Sequence, residues 1–317
     1  MIYLASRHFQ NMTTFLAALL LTIPAFAQVK IAPGSIMIDV DGKPFTTFQY
    51  GVESWKPFFG PVRSASGKIV TRRFPMEMVA GESRDHLHHR GLWFTYDDIN
   101  GVKYWENDPS YTTKANKGRV LVTKAEWKEG TKSGTLDAVM EWQDLAGKVQ
   151  LIENQRTVIY SDPKLRIMDF YITLTAAVDV VIGDTKEGAF AIRLAEEFTE
   201  KRGAKITNAE GLETMKQVWG KRSSWVNYAA EMDGEKLGVA ILDHPSNPGS
   251  PTRWHARDYG LFSLNPFGQQ AFDPTQKENI TKLAAGQKLN FVWRVVIHPD
   301  DVSVADLYKT FAAMKVK

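Results

Sequence analysis

The sequence contains no cysteine, which excludes disulfides, thiolate metal ligands and a sulfur nucleophile. It has no block of like charge. The 39 Lys and Arg are balanced by 36 Asp and Glu, so neither nucleic acid nor an anionic membrane is an expected partner. Long apolar runs are almost missing too. The one exception, Phe15 to Ala27, follows the lone basic residue Arg7 and ends in Ala25-Phe26-Ala27. That small-x-small ending is what signal peptidase reads, so residues 1–27 are expected to be a cleavable secretory signal, with Met12 as an alternative start. The expected location is periplasmic or secreted. No second such run follows, and no membrane span is expected in the mature chain.

Removing those 27 residues leaves 290 of the 317. They carry no repeat, low-complexity linker or composition shift, and residues 28–317 read as one domain. Strand signals dominate it. Ile36–Val40, Ile69–Phe74 and Arg119–Trp127 are short, β-branched and bounded by Gly, Pro or Lys. Thr135–Trp142, Val149–Tyr160 and Leu165–Leu174 roughly alternate apolar with polar, and turn residues separate them, as in an antiparallel meander. Further strands are expected at Leu237–Leu242 and Leu289–Ile297. The clearest helix is C-terminal: Ser303 opens a cap, and Val304, Leu307, Tyr308, Phe311 and Met314 mark one apolar face. These signals predict an all-β fold, a large antiparallel β-sandwich with few short helices and a C-terminal helix. The long aperiodic stretches 80–118 and 184–235 are rich in Trp, Arg and Gly, which points to functional loops.

Three of the seven histidines fall in Asp85-His86-Leu87-His88-His89-Arg90-Gly91-Leu92-Trp93. If the segment is extended, His86 and His88 point to one side and His89 to the other. Two imidazoles beside Asp85 make half of a site for one divalent metal ion, or an acid–base pair. The plainer reading is a polar loop whose histidines bind backbone. A cupin site would require Glu about four residues after its His-x-His, and here Gly91, Leu92 and Trp93 stand there. In Asp184-Thr-Lys-Glu-Gly188, Glu187 is a candidate base or ligand, and Arg193 could hold an anionic or hydroxylated group; a charged hairpin turn is the alternative. Leu242-Asp-His-Pro places Asp243 beside His244, although His-Pro and Asn-Pro also spell a turn. Along Trp254–Gly260, strand alternation would put His255, Arg257 and Tyr259 on one face. The expected catalytic residues are therefore His86, His88, Glu187 and His255, with His88 preferred over His86 for proton transfer. Arg90, Trp93, Arg193, His244, Arg257 and Tyr259 are expected to bind substrate. Trp105 and Trp219 are expected to serve mainly in packing.

Together, Asp-His-x-His-His-Arg-Gly-Leu-Trp-Phe, Asp-Thr-Lys-Glu-Gly, Leu-Asp-His-Pro-x-Asn-Pro and Trp-His-x-Arg-x-Tyr-Gly with Asn-Pro-Phe-Gly resemble the PmoA-like family, labelled methane oxygenase. The resemblance runs from about residue 60 to 298. It implies site residues at His86, His88, His89, Arg90, Glu187, Arg193, His244, His255 and Arg257, and its label implies a metal-dependent oxygenase. By analogy of fold, a sandwich of this length resembles the galactose-mutarotase-like supersandwich. That analogy implies an exported enzyme acting on carbohydrate or a sugar derivative by hydrolysis, β-elimination or epimerisation. The nine Trp and ten Tyr suit the flat faces of sugar rings in a small-molecule or oligosaccharide substrate. A non-catalytic glycan-binding protein is the third reading.

Overall fold

The computed structural model describes residues 27–316, and the leader expected over 1–27 lies outside them except for the backbone of Ala27. The chain first lays down β1 (Ala27–Ala32), β2 (Ser35–Val40), β3 (Lys43–Gln49), β4 (Phe58–Phe59) and β5 (Leu92–Tyr96). It then crosses to a second sheet and forms the expected meander: β6 (Gly118–Lys128), β7 (Ser133–Asp144), β8 (Val149–Tyr160) and β9 (Arg166–Ala176). A short β10 (Val180–Ile182) leads back to β11 (Gly188–Arg193), which pairs with β5. β12 (Lys205–Asn208), the short α1 (Thr214–Val218), β13 (Trp225–Met232) and β14 (Glu235–Asp243) extend the second sheet. β15 (Arg253–Ala256) and β16 (Leu261–Asn265) finish the first. β17 (Thr281–Leu283) pairs with β10, β18 (Lys288–Pro299) fills the middle of the second sheet, and α2 (Val304–Ala312) ends the fold.

The result is the large antiparallel β-sandwich that the sequence predicts, with eight strands in each sheet. The first sheet runs β1-β2-β3-β4-β5-β11-β16-β15, and the second β12-β13-β14-β18-β9-β8-β7-β6. Alternation decides which side chains meet between them. On β7, Leu136, Ala138, Met140 and Trp142 face inward and Thr135, Asp137 and Glu141 outward. β14 and β18 are apolar on both faces because both are covered. Their inner face meets the first sheet, and α2 lies on the outer face through Val304 and Phe311. Ser303 caps α2 by accepting the Asp306 N–H, as its sequence implies.

One expected strand does not form. Ile69–Phe74 makes only isolated bridges, Arg63 to Ile69 and Thr71 to Leu194. Its backbone bonds are divided between Val62 and the chain just at and after the end of β11, at Arg193 and Ala195, while the Arg72 side chain turns fully inward to donate to a neighbouring loop. Among the described residues no helix is long and apolar enough to cross a membrane.

Candidate active-site cleft

The cleft grows from the outer face of the first sheet. On β5, Leu92, Phe94 and Tyr96 belong to the core, so Trp93 points the other way. Strand register then places Trp93, Ala191, Ser263 and His255 in one row across β5, β11, β16 and β15. Three strand spacings span roughly 14 Å. The two small residues in the middle let the overlying loops descend onto the sheet, where Trp105 and Tyr259 pack with Ala191. Above this row lies an open cleft of about 300 Å³, lined by His86, His88, His89, Trp105, His255 and Tyr259 together with six charged residues. That volume holds about ten waters, enough for a single sugar ring.

The histidine segment is not extended, which corrects the expected split of its side chains. His86 adopts the left-handed region at φ 43°, and the His89 N–H closes a turn on the His86 carbonyl at 2.9 Å. All three rings therefore crowd one side. His86 stacks parallel on His89 at 4.6 Å and on Tyr259 at 5.4 Å, while His89 stacks on Trp93 at 5.4 Å. The rings of His86 and His88 meet edge to face at 5.7 Å, and among the described residues no three His, Asp or Glu are grouped to hold a metal ion.

Buried arginines hold this turn from below. Arg72 donates to the carbonyls of Asp85, His86 and His89 and to Asp85 Oδ1 at 2.5 Å. Arg193 donates to the same carboxylate at 2.9 Å. It also donates to His89 Nδ1 at 3.1 Å, which places the His89 proton on Nε2. Burial opposes ionisation of Asp85, but the contact with His86 and the two guanidiniums win and hold the carboxyl well below its usual range. Asp85 Oδ2 lies 2.9 Å from His86 Nδ1. An ionised carboxylate there fixes the Nδ1–H tautomer and leaves His86 Nε2 as the basic nitrogen.

The other histidines of the cleft are kept neutral. Burial, then Lys56, pushes His88 far below the ordinary histidine range, and its Nδ1 meets the Tyr111 hydroxyl at 2.6 Å. Burial keeps that phenol protonated, its pKa raised to about 12. His89 is lowered by burial and then by His88. His255 is lowered to about 4 by burial, and its Nδ1–H donates to the Lys186 carbonyl at 3.1 Å, which leaves Nε2 free. The charged rim is built largely of pairs. Lys103 lies 3.7 Å from Asp97, Lys117 2.8 Å from Glu106 and Arg90 2.6 Å from Asp108, and Lys186 contacts Glu187. Burial raises Asp97 above the usual carboxylate value.

Of the residues singled out in the sequence, His86, His88, Glu187, His255, Arg257 and Tyr259 come together on the cleft. Trp93 and Arg193 lie beneath it, and Arg90 is committed to Asp108. His244 is elsewhere, a correction: its Nε2–H donates to the Met314 carbonyl, its Nδ1 accepts from the Ser246 hydroxyl and N–H, and its ring packs edge-on against Phe311, holding α2 in place. Its neighbour Asp243 is enclosed by Asn247, Thr252 and Trp293 in a structural knot. Sequence reasoning missed Asp97, Lys103, Glu106 and Lys186, and it left Trp105 to packing. Their signal was weak, because isolated charges in loops look like ordinary surface. The aperiodic stretch 80–118 nonetheless supplies seven of the cleft's residues, whereas 184–235 gives only Lys186 and Glu187 and otherwise folds into strands and α1.

A profile described as a family of unknown function, DUF6807, matches residues 35–312. The chain belongs to the DUF6807 family. This corrects the PmoA-like resemblance drawn from the motifs, since the matching family is DUF6807 and carries no oxygenase description. No curated protein matches the chain. Among solved structures, it is similar to the galactosidase domain of an alpha-galactosidase-sucrose kinase, with 12% identity over 86% of this chain and 41% of that one, at TM-score 0.41. It is similar to the alpha-galactosidase from Lactobacillus brevis at 10% identity, covering 87% of this chain and 40% of that chain, with TM-score 0.39. A galactose mutarotase-like protein from Clostridium acetobutylicum aligns at 9% identity over 87% of this DUF6807 chain and 99% of its own, with TM-score 0.41. The chain thus spans about two-fifths of the length of the two α-galactosidases.

Proposed function

We propose that this protein is an exported enzyme that binds one sugar ring in the cleft and transfers a proton on it, as a lyase or epimerase does. The carrying observation is the Asp85–His86 pair. A carboxylate held ionised by two buried arginines fixes the His86 tautomer and leaves one basic nitrogen on a half-exposed ring beside the cleft. His255 offers a second neutral imidazole with a free Nε2 in the same cleft. Two such groups allow one to take a proton from a carbon or hydroxyl while another group returns one. His86 is favoured over His88, because His88 is buried, neutral and already bonded to Tyr111. The Tyr259 and Trp105 rings beside it suit a sugar's apolar face.

Glycoside hydrolysis is the second reading, supported by Asp97 and Glu187. These carboxylates share the cleft, and burial raises Asp97 above the usual carboxylate range, as a general acid needs. The test is a panel of neutral sugars, uronates and oligosaccharides in D2O, followed by NMR for C–H exchange, unsaturated products and free reducing ends. Wild type is expected to exchange or eliminate, and His86→Gln to lose about 10²–10⁴-fold of that rate. Cleavage without C–H exchange that survives His86→Gln but not Asp97→Asn would favour hydrolysis instead.

A further inference from the structure

Nearly every cation around the cleft is answered by a carboxylate: Lys103 by Asp97, Lys117 by Glu106, Lys186 by Glu187 and Arg90 by Asp108. Arg72 and Arg193 share Asp85. Arg257 lines the cleft yet, among the described residues, lies within ion-pair distance of no carboxylate. Its guanidinium sits over the Tyr259 ring at 5.4 Å, and its Nε is buried with no hydrogen-bond partner among the described residues. The backbone fixes its position: the Arg257 N–H donates to Leu261 O and to the Tyr228 hydroxyl, which in turn donates to Arg257 O. Cations therefore exceed carboxylates by two among these groups, one excess charge at the shared Asp85 and the other at Arg257. A planar fork of donors without an anionic protein partner, half-desolvated beside an aromatic ring, is complementary to a carboxylate.

We infer that the cleft takes an acidic sugar, a hexuronate or its glycoside, and that Arg257 binds its carboxylate. This rests on the sugar-binding reading above and narrows it to a substrate class. It also fits proton transfer by His86, because a hydrogen on the carbon next to a carboxylate is more acidic than one elsewhere on a neutral ring.

The test is binding of paired probes, D-galacturonate against D-galactose and D-glucuronate against D-glucose, by ligand-observed NMR and calorimetry at low and high salt. The hexuronate of at least one pair is expected to bind about tenfold or more tighter than its neutral partner, since hydrogen bonds to charged groups are the strong ones. Salt should narrow that gap. Arg257→Gln should abolish the preference, whereas Arg257→Lys should keep part of it, with unchanged thermal melts showing that both variants fold. Equal binding of acid and neutral sugar would overturn the inference and leave the sugar reading standing. So would a preference untouched in Arg257→Gln. Binding of no sugar of either kind would sink both.

Discussion

His244 and His86 were indistinguishable in the sequence, each a histidine next to an aspartate, and the fold gives them opposite roles. Asp85 is gripped by two arginines and its histidine is half-exposed on the cleft, whereas Asp243 is enclosed by amide, hydroxyl and indole donors and its histidine supports a helix. Burial decides the difference, and adjacency in sequence says nothing about it. His244→Ala should therefore cost about 1–2 kcal/mol of stability through two lost hydrogen bonds and the Phe311 contact, while turnover in the His86-dependent assay stays at the wild-type level. A loss of turnover without a loss of stability would return His244 to the site. Tyr259 and Arg257 were legible as neighbours of His255, although a turn rather than a continuing strand brings them there.

At the scale of the element, β8 shows what alternation can and cannot convey. The period places Glu153, Gln155 and Thr157 on the same face as Leu151 and Ile159, and that face is buried between the sheets. Only the fold reveals that Glu153 is wholly enclosed, with Trp142 Nε1 donating to it at 2.8 Å. Burial raises its pKa to about 8. Between the ordinary carboxyl value and about pH 8 the folded state keeps a proton that the unfolded chain has lost. Stability from this group therefore falls as pH rises through that window, by about 1.4 kcal/mol per unit. Glu153→Gln should melt like wild type near pH 5 and higher than wild type near pH 8, by differential scanning fluorimetry. The same gap at both values would mean that Glu153 is not the titrating group. The meander β6–β9, the apolar β14 and β18 and the capped α2 were all readable, because each depends on local period and capping. Ile69–Phe74 was not, because its backbone bonds are divided between Val62 and the end of β11 near Arg193 and Ala195, partners that a local pattern does not show.

At the scale of the molecule, four of the described histidines are buried neutral: His88, His89, His255 and His298 are all lowered, burial being the leading cause in each. Unfolding releases them to take protons below about pH 6.5. The unfolded state then binds more protons than the native one, so stability drops as pH falls, on the order of 1.4 kcal/mol per unit for each histidine still neutral in the fold. Glu153 pulls the other way, but four groups outweigh one. Urea midpoints should therefore fall clearly from about pH 7.5 to about pH 5, and a flat profile would show that these rings are protonated in the folded state. The sandwich itself was legible because its long strands obey one of two simple patterns, alternating as in β7 or apolar at nearly every position, as along the middle of β18 on either side of Arg294. The cleft was only half legible. Its histidines announce themselves by density, whereas the grip of Arg72 and Arg193 on Asp85 joins residues 13 and 108 positions apart, which no local pattern shows.

The row of rings from Tyr259 through His86 and His89 to Trp93, with Trp105 at its edge, has an optical consequence. Two indoles stand in contact with imidazoles, Trp105 at the wall of the cleft and Trp93 beneath it, so their emission is sensitive to whatever displaces water there. The protein carries its own fluorophore at the place where a ligand would arrive, and occupancy can be followed without a label or a known reaction.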